Sequence, residues 1–148
     1  MANQPKYPMM VETRSIELSS KGFCDVQDIT FPIQSALSST GLSKGVLTVF
    51  VPGATAGVTT IEFEPGCVQD LKATFERLVS EYSDYSHNAR WGDGNGFSHV
   101  RAALLGASLQ VPFASKRLLT GTWQQIVLVD FDNRPRRREV ILQFMGEN

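Results

Sequence analysis

Between Pro65 and Tyr82 the apolar residues Val68, Leu71, Phe75, Leu78, Val79 and Tyr82 recur at intervals of three and four, with Gln69, Lys72, Glu76 and Arg77 on the opposite side. That period predicts an amphipathic helix with one buried stripe, and a stripe of this kind is core rather than function. What restricts the fold is the company this helix keeps. Before it, Val11 to Leu18 alternates as a strand does, and Val46 to Val51 (Val-Leu-Thr-Val-Phe-Val) is a short β-branched run bounded by Gly45 and Pro52-Gly53. Val58 to Glu64 alternates again, with Glu62 and Glu64 on one face and Ile61 and Phe63 on the other. A shorter helix starts at Thr30, where a proline in the first turn costs no hydrogen bond; Ile33, Ala36, Leu37 and Thr40 share its face and Gly41 can end it. After the long helix, Val100 to Leu105 reads as a short helix ended by Gly106, and Ser108–Phe113, Leu118–Leu119 and Trp123–Asp132 read as strands. Asp132-Asn133-Arg134-Pro135 is turn chemistry, from which Arg138 to Met145 is expected to pair back as a final hairpin.

The order is therefore strand, helix, two strands, long helix, then mostly strands. This is not the alternating rhythm of a parallel α/β fold. It predicts a single α+β domain with a largely antiparallel sheet packed with helices. At 148 residues the chain suits one domain, with residues 1–9 expected to be a flexible arm.

Charge and composition remove several classes of function. A 42% hydrophobic and 20% charged chain of net charge −1 reads as a soluble globular protein with no pull toward nucleic acid. No apolar run reaches membrane-spanning length, and the first residues lack the apolar core of a signal peptide. Cys24 and Cys67 are too few and too scattered for a disulfide framework or a zinc ribbon, so both are expected as reduced thiols in a cytoplasmic protein.

Both histidines fall in one segment, Tyr85 to His99, which also holds Trp91, Asp93, Asn95 and glycines at positions 92, 94 and 96. Alternate glycines suit neither helix nor strand interiors, so the segment is expected to be a tight, shaped loop. Such a loop would bring His87 and His99 together across twelve positions. Two imidazoles satisfying ordinary loop hydrogen bonds is the plain alternative. A metal site needs a third protein ligand, for which Glu62, Asp93, Asp84 or a neighbouring subunit are the candidates. The spacing matches no specific metal motif. There is no zinc finger, His-Glu-x-x-His, Gly-x-Ser-x-Gly, P-loop or dinucleotide fingerprint. The small-residue stretch Pro52 to Gly57 could admit a ligand to the backbone, although a tight turn between antiparallel strands explains it nearly as well. Arg134, Arg136, Arg137 and Arg138 could clamp phosphate, but most of such a run is expected at a solvated hairpin tip, leaving Arg136 and Arg138 as minor candidates.

Several phrases occur together in order: Thr55-Ala56, Glu62, Tyr85-x-His87, Asn95-x-x-x-His99, Gly106-x-Ser108, Pro112, Leu119-x-Gly121-Thr122-Trp123-Gln124-Gln125-Ile126, and Asp132 with Pro135-Arg136-x-Arg138. From about Gly45 to Gly146 the sequence resembles the YjbQ-like family, also called the secondary thiamine-phosphate synthase family. The resemblance implies a homotrimer with a pocket near a subunit boundary, holding a divalent metal such as zinc, or magnesium if the substrate carries phosphate. Carried over by position, His87, Asn95 and His99 match the family's polar segment, Glu62 its acidic strand position, and Trp123 with Gln124 its Trp-Gln string. Where many members have His-Thr-Thr-Ala, this chain has Gly53-Ala54-Thr55-Ala56. The family name implies a transferase joining a pyrimidine diphosphate to a thiazole phosphate. That chemistry wants a metal and donors for the departing charge, yet no clustered aspartates of the magnesium-binding kind are apparent. The sequence expectation is thus an enzyme using Glu62, His87, Asn95 and His99, or else a non-catalytic trimer that binds a metal or small ligand.

Overall fold

The computed structural model describes residues 8–148, so most of the expected arm lies outside the described residues. In chain order the elements are β1 (Met10–Ser20), β2 (Asp25–Asp28), α1 (Thr30–Ser38), β3 (Lys44–Phe50), β4 (Ala56–Ile61), α2 (Pro65–Leu78), α3 (Ser86–Trp91), α4 (Gly96–Leu105), β5 (Ser108–Ala114), β6 (Arg117–Leu118), β7 (Gln125–Asp130) and β8 (Arg136–Glu147). They build an α+β fold with two sheets rather than one. Five strands run β1-β8-β3-β5-β6 and three run β2-β7-β4, every pairing antiparallel.

Strand β7 shows why the second sheet must be covered twice. Ile126 and Leu128 point into the space between the sheets, packing with Leu47, Val49, Val111, Leu142 and Phe144. Val127, Val129 and Phe131 point the other way, into a second core closed by Phe75 of α2 and Ala102 of α4. A strand buried on both faces reads as an unbroken apolar run, which Ile126 to Val129 is. Helix α1 contributes Ile33 and Leu37 to the first core.

Neither hairpin that the sequence allowed is formed. Strands β3 and β4 belong to different sheets, so Pro52 to Thr55 is a crossing between layers and not a hairpin. Strand β8 does not fold back on β7 either; it lies between β1 and β3. Its inward residues are therefore set by alternation, with Val140, Leu142 and Phe144 fully buried.

The long helix is shorter than its apolar period suggests. It begins at Pro65, where the Glu64 carboxylate accepts the backbone N–H groups of Gly66 and Cys67 at 2.7 and 2.9 Å. Those two bonds hold the Glu64 carboxyl below its ordinary value. Glu64 is thus a helix cap, not the partner of Glu62 on a strand face. The helix stops at Leu78, and the chain bends away at Val79. Leu78 and Tyr82, expected in the stripe, are exposed, while Phe75 and Val79 stay buried.

Candidate functional site

The glycine-spaced segment is mostly helical. Helix α3 carries His87, helix α4 carries His99, and only Gly92 to Asn95 forms the loop between them. The φ angles of +69° at Gly92 and +68° at Gly94 place both in the left-handed region that glycine adopts without strain. This reverses the chain within four residues. Gly96 has a different role: a Cβ there would lie 2.6 Å from the Cβ of Tyr85, so only glycine allows the two helices to meet so closely. The Asn88 side chain ties the junction by accepting the Gly96 N–H at 2.8 Å. As a result the His87 and His99 rings come to a centroid distance of 4.5 Å, tilted 42° to one another.

Behind Asn95, 3.5 Å away at Asp132, begins a polar group that sequence reasoning largely missed. Asp130 and Asp132 are fully buried beside Arg138, whose side chain is 10% exposed. Arg138 donates from Nε and Nη2 to the two Asp130 oxygens at 2.7 and 2.8 Å, and from Nη2 to Thr55 Oγ1 at 2.6 Å. Ser20 donates to Asp130 at 2.6 Å, Thr55 to Asp132 at 3.1 Å, and Arg136 Nε to Asp132 at 2.6 Å. The arginine run is therefore split by strand alternation. Arg136 and Arg138 turn inward, whereas Arg137 is exposed and pairs with Glu17. A readable signal was present: acids at 130 and 132 and bases at 136 and 138, each pair two apart, on strands whose neighbouring inward residues are apolar.

Arg138 lies next to Gly53, which shares a hollow with His99. A hollow of about 300 Å³ is lined by Gly53, Ala54, Ala56 and His99 with the small residues of α4 and its C-terminal turn. A Cβ on Gly53 would sit 3.3 Å from Arg138 Nη1, and Gly53 has φ +135°. Glycine, in place of the histidine that the resemblance expects, sets no side chain beside that guanidinium nitrogen.

Electrostatics agree with a preorganised site. Burial alone would raise the Asp132 carboxyl. The Arg136 hydrogen bond, the Asn133 backbone N–H and the Arg136 charge outweigh it and hold Asp132 below its ordinary value. A depressed folded-state value means stability that is complete above about pH 4 and is lost as pH falls through the lower folded value. Asp132→Asn is accordingly expected to flatten the loss of stability below pH 4, read as urea midpoints at stepped pH; Glu64 and Glu76, also held low, account for the slope that remains. A slope equal to wild type would exclude this role. Cys24 is no nucleophile: burial pushes its thiol up to about 11.

Other expected site residues lie elsewhere. Glu62, just past the end of β4, lines a separate hollow with Asp28, Phe63 and Trp123. Ala56, at the histidine end of that strand, is six positions away, roughly 20 Å at strand rise. Trp123 is 71% exposed, and Gln124 is used structurally, accepting the Gly121 N–H and donating to Thr60. Asp84 is exposed. Asp93 does meet the pair, with Oδ1 3.3 Å from His87 Nδ1, and Asn95 is buried at the N-terminus of α4. Among the described residues, no group of three His, Cys, Asp or Glu side chains is placed to hold a metal ion. The described residues of one chain thus lack the three-ligand set of a zinc site.

No helix among the described residues is long and apolar enough to cross a membrane. The family model described as "UPF0047 protein YjbQ-like" matches residues 14–147. A UPF0047 protein of Methanothermobacter thermautotrophicus is 33% identical over 94% of this chain and 95% of its own, and YugU of Bacillus subtilis is 31% identical over 93% and 100%. Among solved structures, a YbjQ-like protein of unknown function from Sulfolobus solfataricus P2 superposes with TM-score 0.89 at 28% identity, covering 95% of this chain and 100% of its own. A hypothetical protein from Aeropyrum pernix K1 gives 0.85 at 33% identity over 92% and 99%. With the model spanning nearly all of β1 to β8 and relatives matched along almost their whole length, the chain belongs to the YjbQ-like UPF0047 family.

Proposed function

We propose that the protein is an enzyme acting on a small phosphorylated substrate held in the hollow between Gly53 and α4. The observation that carries this reading is the pair of imidazoles 4.5 Å apart, one of which lines that hollow. The Arg138 guanidinium lies beside Gly53, one of the residues lining that hollow. Two adjacent imidazoles can divide the work of removing a proton from one reacting group and giving one to a leaving group. Arg138 Nη1 supplies a fixed donor for an anionic oxygen, because its other donors are already committed to Asp130 and Thr55. Joining a pyrimidine diphosphate to a thiazole phosphate, with pyrophosphate leaving, is one reaction of this class. Glu62 and Trp123 enter this reading only if another subunit brings them to the histidines. A homotrimer would do so, and the exposed Val100, Leu104, Leu119 and Trp123 give it apolar surface to cover. Light scattering would then give three times the 16.3 kDa chain mass.

The test is turnover of candidate phosphorylated substrates, including that pair, by wild type and His99→Ala. The variant is expected to keep its circular dichroism and lose about 10²–10⁴-fold in rate, and pyrophosphate should compete with substrate. Unchanged turnover in His99→Ala would remove the reading. Metal content, measured beside a His87→Ala/His99→Ala double variant, separates it from a second one. Metal that is retained by wild type and lost in the double variant, with no substrate consumed, would identify a binding protein. The closeness of the two imidazoles is the observation behind that alternative.

A further inference from the structure

We infer that Asp93 is a positioning residue for His87, fixing its imidazole in the tautomer that carries the proton on Nδ1 and leaves Nε2 as the free base. The inference rests on the histidine pair being the working site, but it can be read without any substrate.

The argument starts from an unsatisfied atom. His87 Nδ1 is buried and has no hydrogen-bond partner, although a third of the His87 side chain is exposed. Buried polar nitrogens are rarely left so. The polar atom set against it is Asp93 Oδ1, at 3.3 Å. An ionised carboxylate offers only lone pairs. An unprotonated Nδ1 would set a second lone pair against them, whereas a proton on Nδ1 meets an anion and becomes a hydrogen bond once the ring turns toward the carboxylate. The part of the ring that solvent reaches is then the remainder, which carries Nε2.

Asp93 is itself held to this task. It sits between Gly92 and Gly94, whose left-handed φ angles turn its side chain back toward α3. Its backbone carbonyl accepts from Asn133 Nδ2 at 2.8 Å. The Asn95 amide, oriented with its nitrogen toward Asp93, donates to the two carboxylate oxygens at 3.1 and 3.2 Å. Asn95 is buried, so that donor is not free to leave. The sequence Gly-Asp-Gly-Asn thus encodes a carboxylate aimed at one nitrogen of one imidazole. Such outer partners set which nitrogen does the chemistry.

The test is a long-range ¹H–¹⁵N correlation spectrum of imidazole-labelled protein at a pH where the rings are neutral. With two histidines in the chain, His99→Gln suffices to assign the His87 pattern. Wild type is expected to show Nδ1 as the protonated nitrogen of His87. In Asp93→Ala, with the His99 signals unmoved as a control for folding, the Nδ1–H form should become the minor one. Wild-type His87 protonated on Nε2, or an Asp93→Ala spectrum equal to wild type, overturns the inference. Where a substrate is turned over, Asp93→Ala should lower kcat by on the order of 10–100-fold with KM little changed. If His99→Ala spares turnover while the tautomer is as expected, the enzyme reading fails and the positioning of His87 stands. The reverse pair of results separates them the other way.

Discussion

Asp130→Ala is expected to cost about 3–5 kcal/mol of folding stability, because it strips the charge partner from a buried arginine. Arg138 would keep Thr55 and a distant Asp132 oxygen at 3.8 Å, neither of which replaces two bonds below 3 Å to one carboxylate. Ser20 Oγ and the Asp132 N–H would lose their acceptor at the same time. Against a total of about 5–15 kcal/mol for an ordinary domain, that is a large share. Urea unfolding gives the measurement, and a loss below 1 kcal/mol would show that the pair is not the anchor described here. Asp130→Leu combined with Arg138→Met should recover much of the loss, since removing both charges leaves none unpaired. Arg137→Ala supplies the contrast. One residue along the same run, its exposed pair with Glu17 should be worth about 0–1 kcal/mol.

Phe131→Ala should be comparably severe, at about 3–5 kcal/mol. Phe131 is fully buried, and its ring meets Phe75 edge-on at a centroid distance of 4.7 Å. It lies between Asp130 and Asp132 but faces the opposite side, where it ties α2 to the three-stranded sheet. Its loss opens a cavity under the helix that backbone hydrogen bonds cannot close. At about 2–4 °C per kcal/mol for a chain near this length, the thermal midpoint should fall by roughly 10 °C. A shift of one or two degrees would mean that the second core repacks freely.

The two variants divide the molecule as the sequence could not. Both residues belong to the run Trp-Gln-Gln-Ile-Val-Leu-Val-Asp-Phe-Asp, which the sequence marks as a strand. Alternation then says that 130 and 132 share a face opposite to 131. It does not say that the face of 130 and 132 meets Arg136 and Arg138, since that depends on which strand of the other sheet packs there. With β8 read as hairpin partner of β7, the arginines looked like a solvated tip. Docking between β1 and β3 instead carries them into the end of the sandwich.

The histidine site was legible in part for a similar reason. Clustering of both imidazoles beside Gly92, Gly94 and Gly96 pointed to the segment, and the rings do meet. The helical state of Ser86–Trp91 was hidden, because six residues cannot show a period and the glycines next to them argue for a loop. Glu62 was a candidate third ligand beside the histidines and a match to the family's acidic strand position, but β4 runs away from them, so within one chain it reaches a different hollow.

Local chemistry determined by itself what most segments are, Asp25–Asp28 and Ser86–Trp91 excepted. Period two and period 3.6 set most strands and helices, Pro65 and Gly106 set helix ends, and alternation set which residues of β8 turn inward. Only the tertiary structure decided who lies beside whom: Met10 opposite Gly146, two sheets in place of one, and an aspartate pair over an arginine pair. The physical reason is that a strand edge offers the same N–H and C=O groups to any partner. The choice among partners falls to burial summed over the whole chain, which no single stretch of residues contains.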